Sequence, residues 1–215
     1  MTDELGRLAS ELREQTDNTQ RRVAAKRLRE LAFARRRSLE KRGSLDHPAN
    51  GEMTLGDLDS LRSAIYATDR SVRLDAIVAA GDLGDETFVA DLAAQCESAD
   101  QEIRLAAIDS LGDIGGPESV SVLIPLATNP EEGADIRLAA MTEFEELAAK
   151  NITSGPDRRI GTNLQGTTEA WPVFSRLVRS KLVGAMRATE ADPSADEFLR
   201  LKAADILMYL RERVV

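Results

Sequence analysis

A chain of 215 residues with 42 % apolar content can bury a sizeable core, yet only 4 % of it is aromatic, and Ala, Leu, Ile and Val dominate. That mixture favours closely packed helices over sheets, which lean on β-branched and aromatic side chains. The formal charge of −9 and pI near 4.8 argue against a generally nucleic-acid-binding surface.

Residues 2–15 place Leu5, Leu8 and Leu12 at helical spacing and predict an amphipathic capping helix. A long helix follows from about Asn18 to Lys41, with Val23, Leu28, Leu31 and Ala32 marking its buried face. Residues 21–42 of this region, RRVAAKRLRELAFARRRSLEKR, hold ten Arg or Lys against two Glu. Such charge fits three destinations: nucleic acid, an acidic protein, or the chain's own acidic surface, to which most weight goes. Arg35, Arg36 and Arg37 are the candidate partner-binding residues here. The polar segment Gly43–Met53 predicts a loop and contains His47, the only histidine, read as a solvated side chain. Residues 54–67 predict another helix, since Leu58 and Leu61 precede Val89 and Leu92 by 31.

That interval is a repeat. Residues 69–99 align with 100–130 without a gap, and ten positions are identical, among them Asp69/Asp100, Arg73/Arg104, Ile77/Ile108, Gly81/Gly112, Asp82/Asp113 and Leu92/Leu123. Each unit reads as a helical hairpin. Asp69 and Asp100 are placed to cap a first helix, and Arg73 and Arg104, four residues on, are expected to pair with them. Gly84-Asp85 and Gly115-Gly116 predict the stop between helices, and Pro117 suits a first turn. Pro125 predicts a kink or an early end. The first-helix pattern returns at 135–141 and 199–206. The recurring Arg73, Arg104, Arg137 and Arg200 are read as a structural ladder on the helix surface, where truncation costs roughly 0–1 kcal/mol.

Between Lys150 and Thr168 the repeat is interrupted by NITSGPDRRIGTNLQGTT, followed by Trp171. A long insertion in a compact repeat is expected to be exposed and either functional or disordered, so Arg158, Arg159 and Trp171 complete the candidate partner-binding set, although Trp171 fits equally a buried position that closes the irregular repeat. Cys96 stands alone at an apolar helical position, which predicts a buried, inert thiol and a reducing, cytoplasmic compartment. The first residues lack an apolar signal core, and no run approaches 18 apolar residues, so no membrane span is expected. An Arg-to-Lys excess alongside many acids is similar to the composition of salt-adapted proteins. No Walker loop, GxGxxG, HExxH or GxSxG spacing occurs, so neither catalysis nor a cofactor or metal is expected.

The runs SVRLDAIVAAGDLGDETFVADL and QEIRLAAIDSLGDIGGPESVSVLIPL resemble the short HEAT repeats of phycobilin-lyase-like proteins. The resemblance implies an all-α superhelical solenoid of antiparallel hairpins, whose second helices line a concave binding face. The expected division is a single domain over 1–215. It comprises a capping helix (1–17), hairpins at 18–67, 69–99, 100–130 and 135–190, the last carrying the insertion near 150–168, and a capping helix at 196–215. Its expected role is a non-catalytic scaffold that docks another protein on its concave face or insertion loop. The rivals are weak nucleic-acid binding through residues 21–42 and, on the family name alone, a lyase-like accessory subunit.

Overall fold

The computed structural model describes residues 2–15, 17–41, 54–153 and 183–212, and every regular element among them is helical. In chain order these are α1 (Thr2–Glu14), α2 (Asn18–Lys41), α3 (Leu55–Ile65), α4 (Arg70–Leu83), α5 (Val89–Gln95), α6 (Gln101–Ile114), α7 (Gly116–Thr128) and α8 (Ala134–Thr153). A 3-10 turn over Glu86–Phe88 leads into α5. Helical residues 183–191 are α9, and Glu197–Glu212 form α10. The chain is an α-solenoid of two layers. Helices α2, α4, α6 and α8 lie side by side with α10 against α8, while α1, α3, α5 and α7 form the second layer. Among second-layer helices, each first-layer helix from α2 to α8 packs mainly on the one that precedes it in the chain. The sequence unit and the closest cross-layer pairs therefore differ in phase.

Local chemistry sets the ends. Asp69 accepts hydrogen bonds from Ser71 N–H and Val72 N–H, and Asp100 does the same for Glu102 and Ile103. Each carboxylate thus satisfies amides that a helix start leaves open. Gly84 ends α4 in the left-handed region at φ 67°, where its N–H reaches Gly81 O. Gly115 and Gly116 also hold positive φ, at 72° and 81°, and Pro117 falls in the first turn of α7. The expected early end at Pro125 is not found: α7 continues through it to Thr128, and Asn129 N–H closes the last turn on Pro125 O at 3.0 Å.

The recurring arginines also depart from expectation. Arg73 does not pair with Asp69; its Nε donates to Ala67 O at 2.9 Å. Arg104 Nε donates likewise to Cys96 O at 2.5 Å, and its Nη2 reaches Glu132 at 2.7 Å. Both staple the start of a first-layer helix to carbonyls at the end of the preceding second-layer helix, where the helix dipole favours a cation. Arg137 is buried and donates to Thr189 Oγ1 at 2.7 Å. The cap carboxylates find their cations one helix back instead: Arg22 pairs with Asp69 at 2.8 Å, and Arg70 pairs with Asp100 at 2.5 Å.

Between the layers run Leu28, Leu61, Ile77, Leu92, Ile108, Leu111 and Leu123, all fully buried. The first layer is drawn tight by small residues. A Cβ on Gly81 would lie 2.8 Å from Ser110 Cα, and Ser110 Oγ donates to Ile77 O at 3.0 Å across the same contact. Replacing the glycine's hydrogen with a methyl group therefore forces α4 and α6 apart.

Candidate protein-binding groove

Three helices of the first layer build an open groove of about 480 Å³. From α2 come Phe33, Arg36 and Arg37; from α4, Val78 and Asp82; from α6, Ala106, Asp109, Ser110 and Asp113. Helical spacing explains the lining, because residues three and four apart share a face. Phe33 is about half exposed, a large apolar side chain left uncovered beside an apolar floor. Arg37 stacks over its ring with Cζ 5.7 Å from the centroid.

The repeat places a carboxylate at one position in successive first-layer helices, Asp82 on α4 and Asp113 on α6. Arg36 spans them, 3.4 Å from Asp82 and 2.5 Å from Asp113. Asp82 is buried, and desolvation pushes its carboxyl up to about 6 although Arg36 works in the opposite direction. Asp109, one turn before Asp113, opens to solvent. Its carboxyl is nonetheless held above the ordinary range, by partial desolvation in the groove and by the charges of Asp113 and Glu146. Raised carboxyls also occur in structural ion-pair networks, and the Arg36 bridge is one.

The basic helix is largely engaged by the chain itself. Arg22, Arg29 and Arg36, spaced by seven along α2, pair with Asp69, Asp75 and Asp82 on α4. Both series rise together, so α2 and α4 run parallel. Arg27 pairs with Glu4 of α1 at 3.2 Å. Of the three predicted arginines, Arg35 is buried, Arg36 bridges two aspartates, and only Arg37 is exposed. Arg158, Arg159 and Trp171, with His47, the 43–53 segment and most of the insertion, lie outside the described residues. Sequence reasoning missed Phe33, which stands between Ala32 and Ala34 with no local pattern to mark it as exposed. It also missed Asp109, which has Val78 as its repeat equivalent and so carries no repeat signal.

Other chemistry is limited. Cys96 is buried, and desolvation lifts its thiol to about 12, so it stays protonated and unreactive at neutral pH. Among the described residues no cluster of three or more His, Cys, Asp or Glu is arranged to hold a metal, and no helix is long and apolar enough to cross a membrane.

No curated protein matches the chain. Among solved structures it is similar to an engineered protein from the Northeast Structural Genomics Consortium, at 14 % identity and a TM-score of 0.48, covering 97 % of each chain. It is also similar to a designed armadillo repeat protein, at 13 % identity and a TM-score of 0.44, over 96 % of this chain and 99 % of that one. The family described as HEAT repeats matches residues 58–143, which span α4 to α7 whole with most of α3 and the first half of α8. The match thus falls on the stretch where the capped and stapled first-layer helices recur, and there the solenoid is similar to HEAT repeats.

Proposed function

We propose that the protein is a non-catalytic scaffold that holds another protein in the groove formed by α2, α4 and α6. The observation that carries this reading is Phe33: a half-exposed aromatic ring on an apolar floor, framed by charged side chains. Buried aromatic anchors with a polar rim dominate binding energy at protein interfaces. The reading places the partner on the first layer rather than on the second helices, because groove and aromatic anchor coincide there. Solenoid folds serve many roles, so the site and not the fold supports this choice.

The nucleic-acid alternative loses support from the α2–α4 ion pairs, which already compensate Arg22, Arg29 and Arg36. A phosphate backbone would have to displace tethered carboxylates, so binding through α2 is expected only at low salt. The test is affinity capture from the native host with the unaltered chain and with Phe33→Asp. A partner retained by the first and lost by the second, with circular dichroism unchanged, supports the groove. Equal retention by both contradicts it.

A further inference from the structure

Resting on that reading, we infer that the groove's partner is an extended protein segment that pairs an Arg or Lys side chain with a neighbouring apolar one. The groove already holds a guanidinium. Arg36 of this chain reaches in from α2 and lies between Asp82 and Asp113, which shows that the spacing of carboxylates on α4 and α6 fits such a group. One turn along α6, Asp109 faces the same groove and makes no ion pair with a cation of the described residues. The walls are therefore polarised. Arg36 and Arg37 line the α2 side, Asp109 and Asp113 the α6 side, and Asp82 lies buried between them. A cation entering beside Asp109 meets a carboxyl group that no cation of the described residues pairs, while its apolar neighbour falls on Val78, Ala106 and the Phe33 ring. The ring face is also suited to a cation, as the Arg37 stack demonstrates. A segment lying across the parallel helices passes Phe33 and Asp109 in turn, because α2, α4 and α6 are side by side. An acidic segment would meet three carboxylates, Asp82, Asp109 and Asp113, against the two guanidiniums of Arg36 and Arg37, and the excess of like charge opposes it.

The test uses the full chain and fluorescein-labelled decapeptides of alternating Leu and Arg, Leu and Gln, or Leu and Glu, followed by fluorescence anisotropy at two salt concentrations. The Leu-Arg probe is expected to bind most tightly and to weaken with salt. Asp109→Asn should weaken it about fivefold, the span of an exposed ion pair, whereas Glu131→Gln in the exposed turn after α7 should leave it unchanged. Among the described residues Asp109 makes no hydrogen bond or ion pair that the substitution would break, and circular dichroism of the variant checks that it folds. Binding of the Leu-Gln or Leu-Glu probe as tight as Leu-Arg, no binding of Leu-Arg, or indifference to Asp109→Asn overturns the inference. Where a probe of any charge binds and Phe33→Ala abolishes it, the groove stands and only the basic character of the partner falls. Binding that ignores Phe33→Ala removes the groove itself.

Discussion

Arg104 illustrates how one side chain does a different job from the one its spacing suggests. A surface pair with Asp100 would be worth little, but Arg104 instead holds the Cys96 carbonyl and the Glu132 carboxylate from a mostly buried position. Hydrogen bonds to a charged group contribute about 1.5–3 kcal/mol, so Arg104→Ala should cost that much, well above the sequence-based figure. Ile108→Ala, at a fully buried site, should cost about 2–5 kcal/mol. Urea melts of the two variants compare them directly, and an Arg104→Ala loss under half a kcal/mol would refute the staple. Asp82 gives a pH signature. Its folded-state carboxyl titrates near 6, above the unfolded value of about 4. Between these values the folded chain holds the proton more tightly, so this group favours folding below pH 4, and that contribution is lost as pH rises to 6. Asp69 and Asp100 are depressed by Arg22 and Arg70 and act with the opposite sign, their contribution being lost as pH falls below about 4. Melting temperatures across pH 4–6.5 should therefore show a shallower decline for Asp82→Asn than for the unaltered chain; identical slopes would show that Asp82 is not the titrating group.

At the level of elements, the close approach of first-layer helices is the feature to probe. Gly81 and Gly112 occupy the same repeat position but face different neighbours. A Cβ on Gly81 meets the backbone of Ser110, whereas the nearest atoms to one on Gly112 belong to the Glu143 side chain, which has more rotatable bonds than a backbone. Gly81→Ala should thus lose about 1–3 kcal/mol from overpacking, more than the roughly 1 kcal/mol that alanine gains in helix propensity. Gly112→Ala should come out milder, and equal losses in thermal melts would refute the distinction. The helices themselves were largely legible: the bounds of α2 match the expectation, as do the Asp69 and Asp100 caps and the glycine stop at Gly84. Periodicity and capping are local, and local signals survive in one sequence. The early end expected at Pro125 does not occur because tertiary burial of Leu123, Leu126 and Ala127 carries the helix past a residue that disfavours an isolated helix. The destinations of Arg73 and Arg104 were not legible, because they depend on which helix end arrives beside them.

For the whole molecule, the sequence exposed the repeat and the concentration of basic charge but not the groove. Arg35, Arg36 and Arg37 are adjacent in sequence and alike in type, yet the helix sends them to three environments: buried, bridging and exposed. Phe33 and Asp109 lie 76 positions apart and meet only because α2, α4 and α6 are side by side, a juxtaposition no single stretch of sequence encodes. The same helix supplies an internal control for the binding account, since Val23, expected on the buried face, is instead exposed on α2 and lines a separate recess with α1. The decisive measurement places a photo-crosslinking phenylalanine analogue at position 33 or at position 23 in the native host and compares the protein adducts. The account predicts a discrete adduct from position 33 that is absent from position 23 and is suppressed by Asp109→Lys. Adducts from position 23 alone, or a position-33 adduct indifferent to Asp109→Lys, would contradict it.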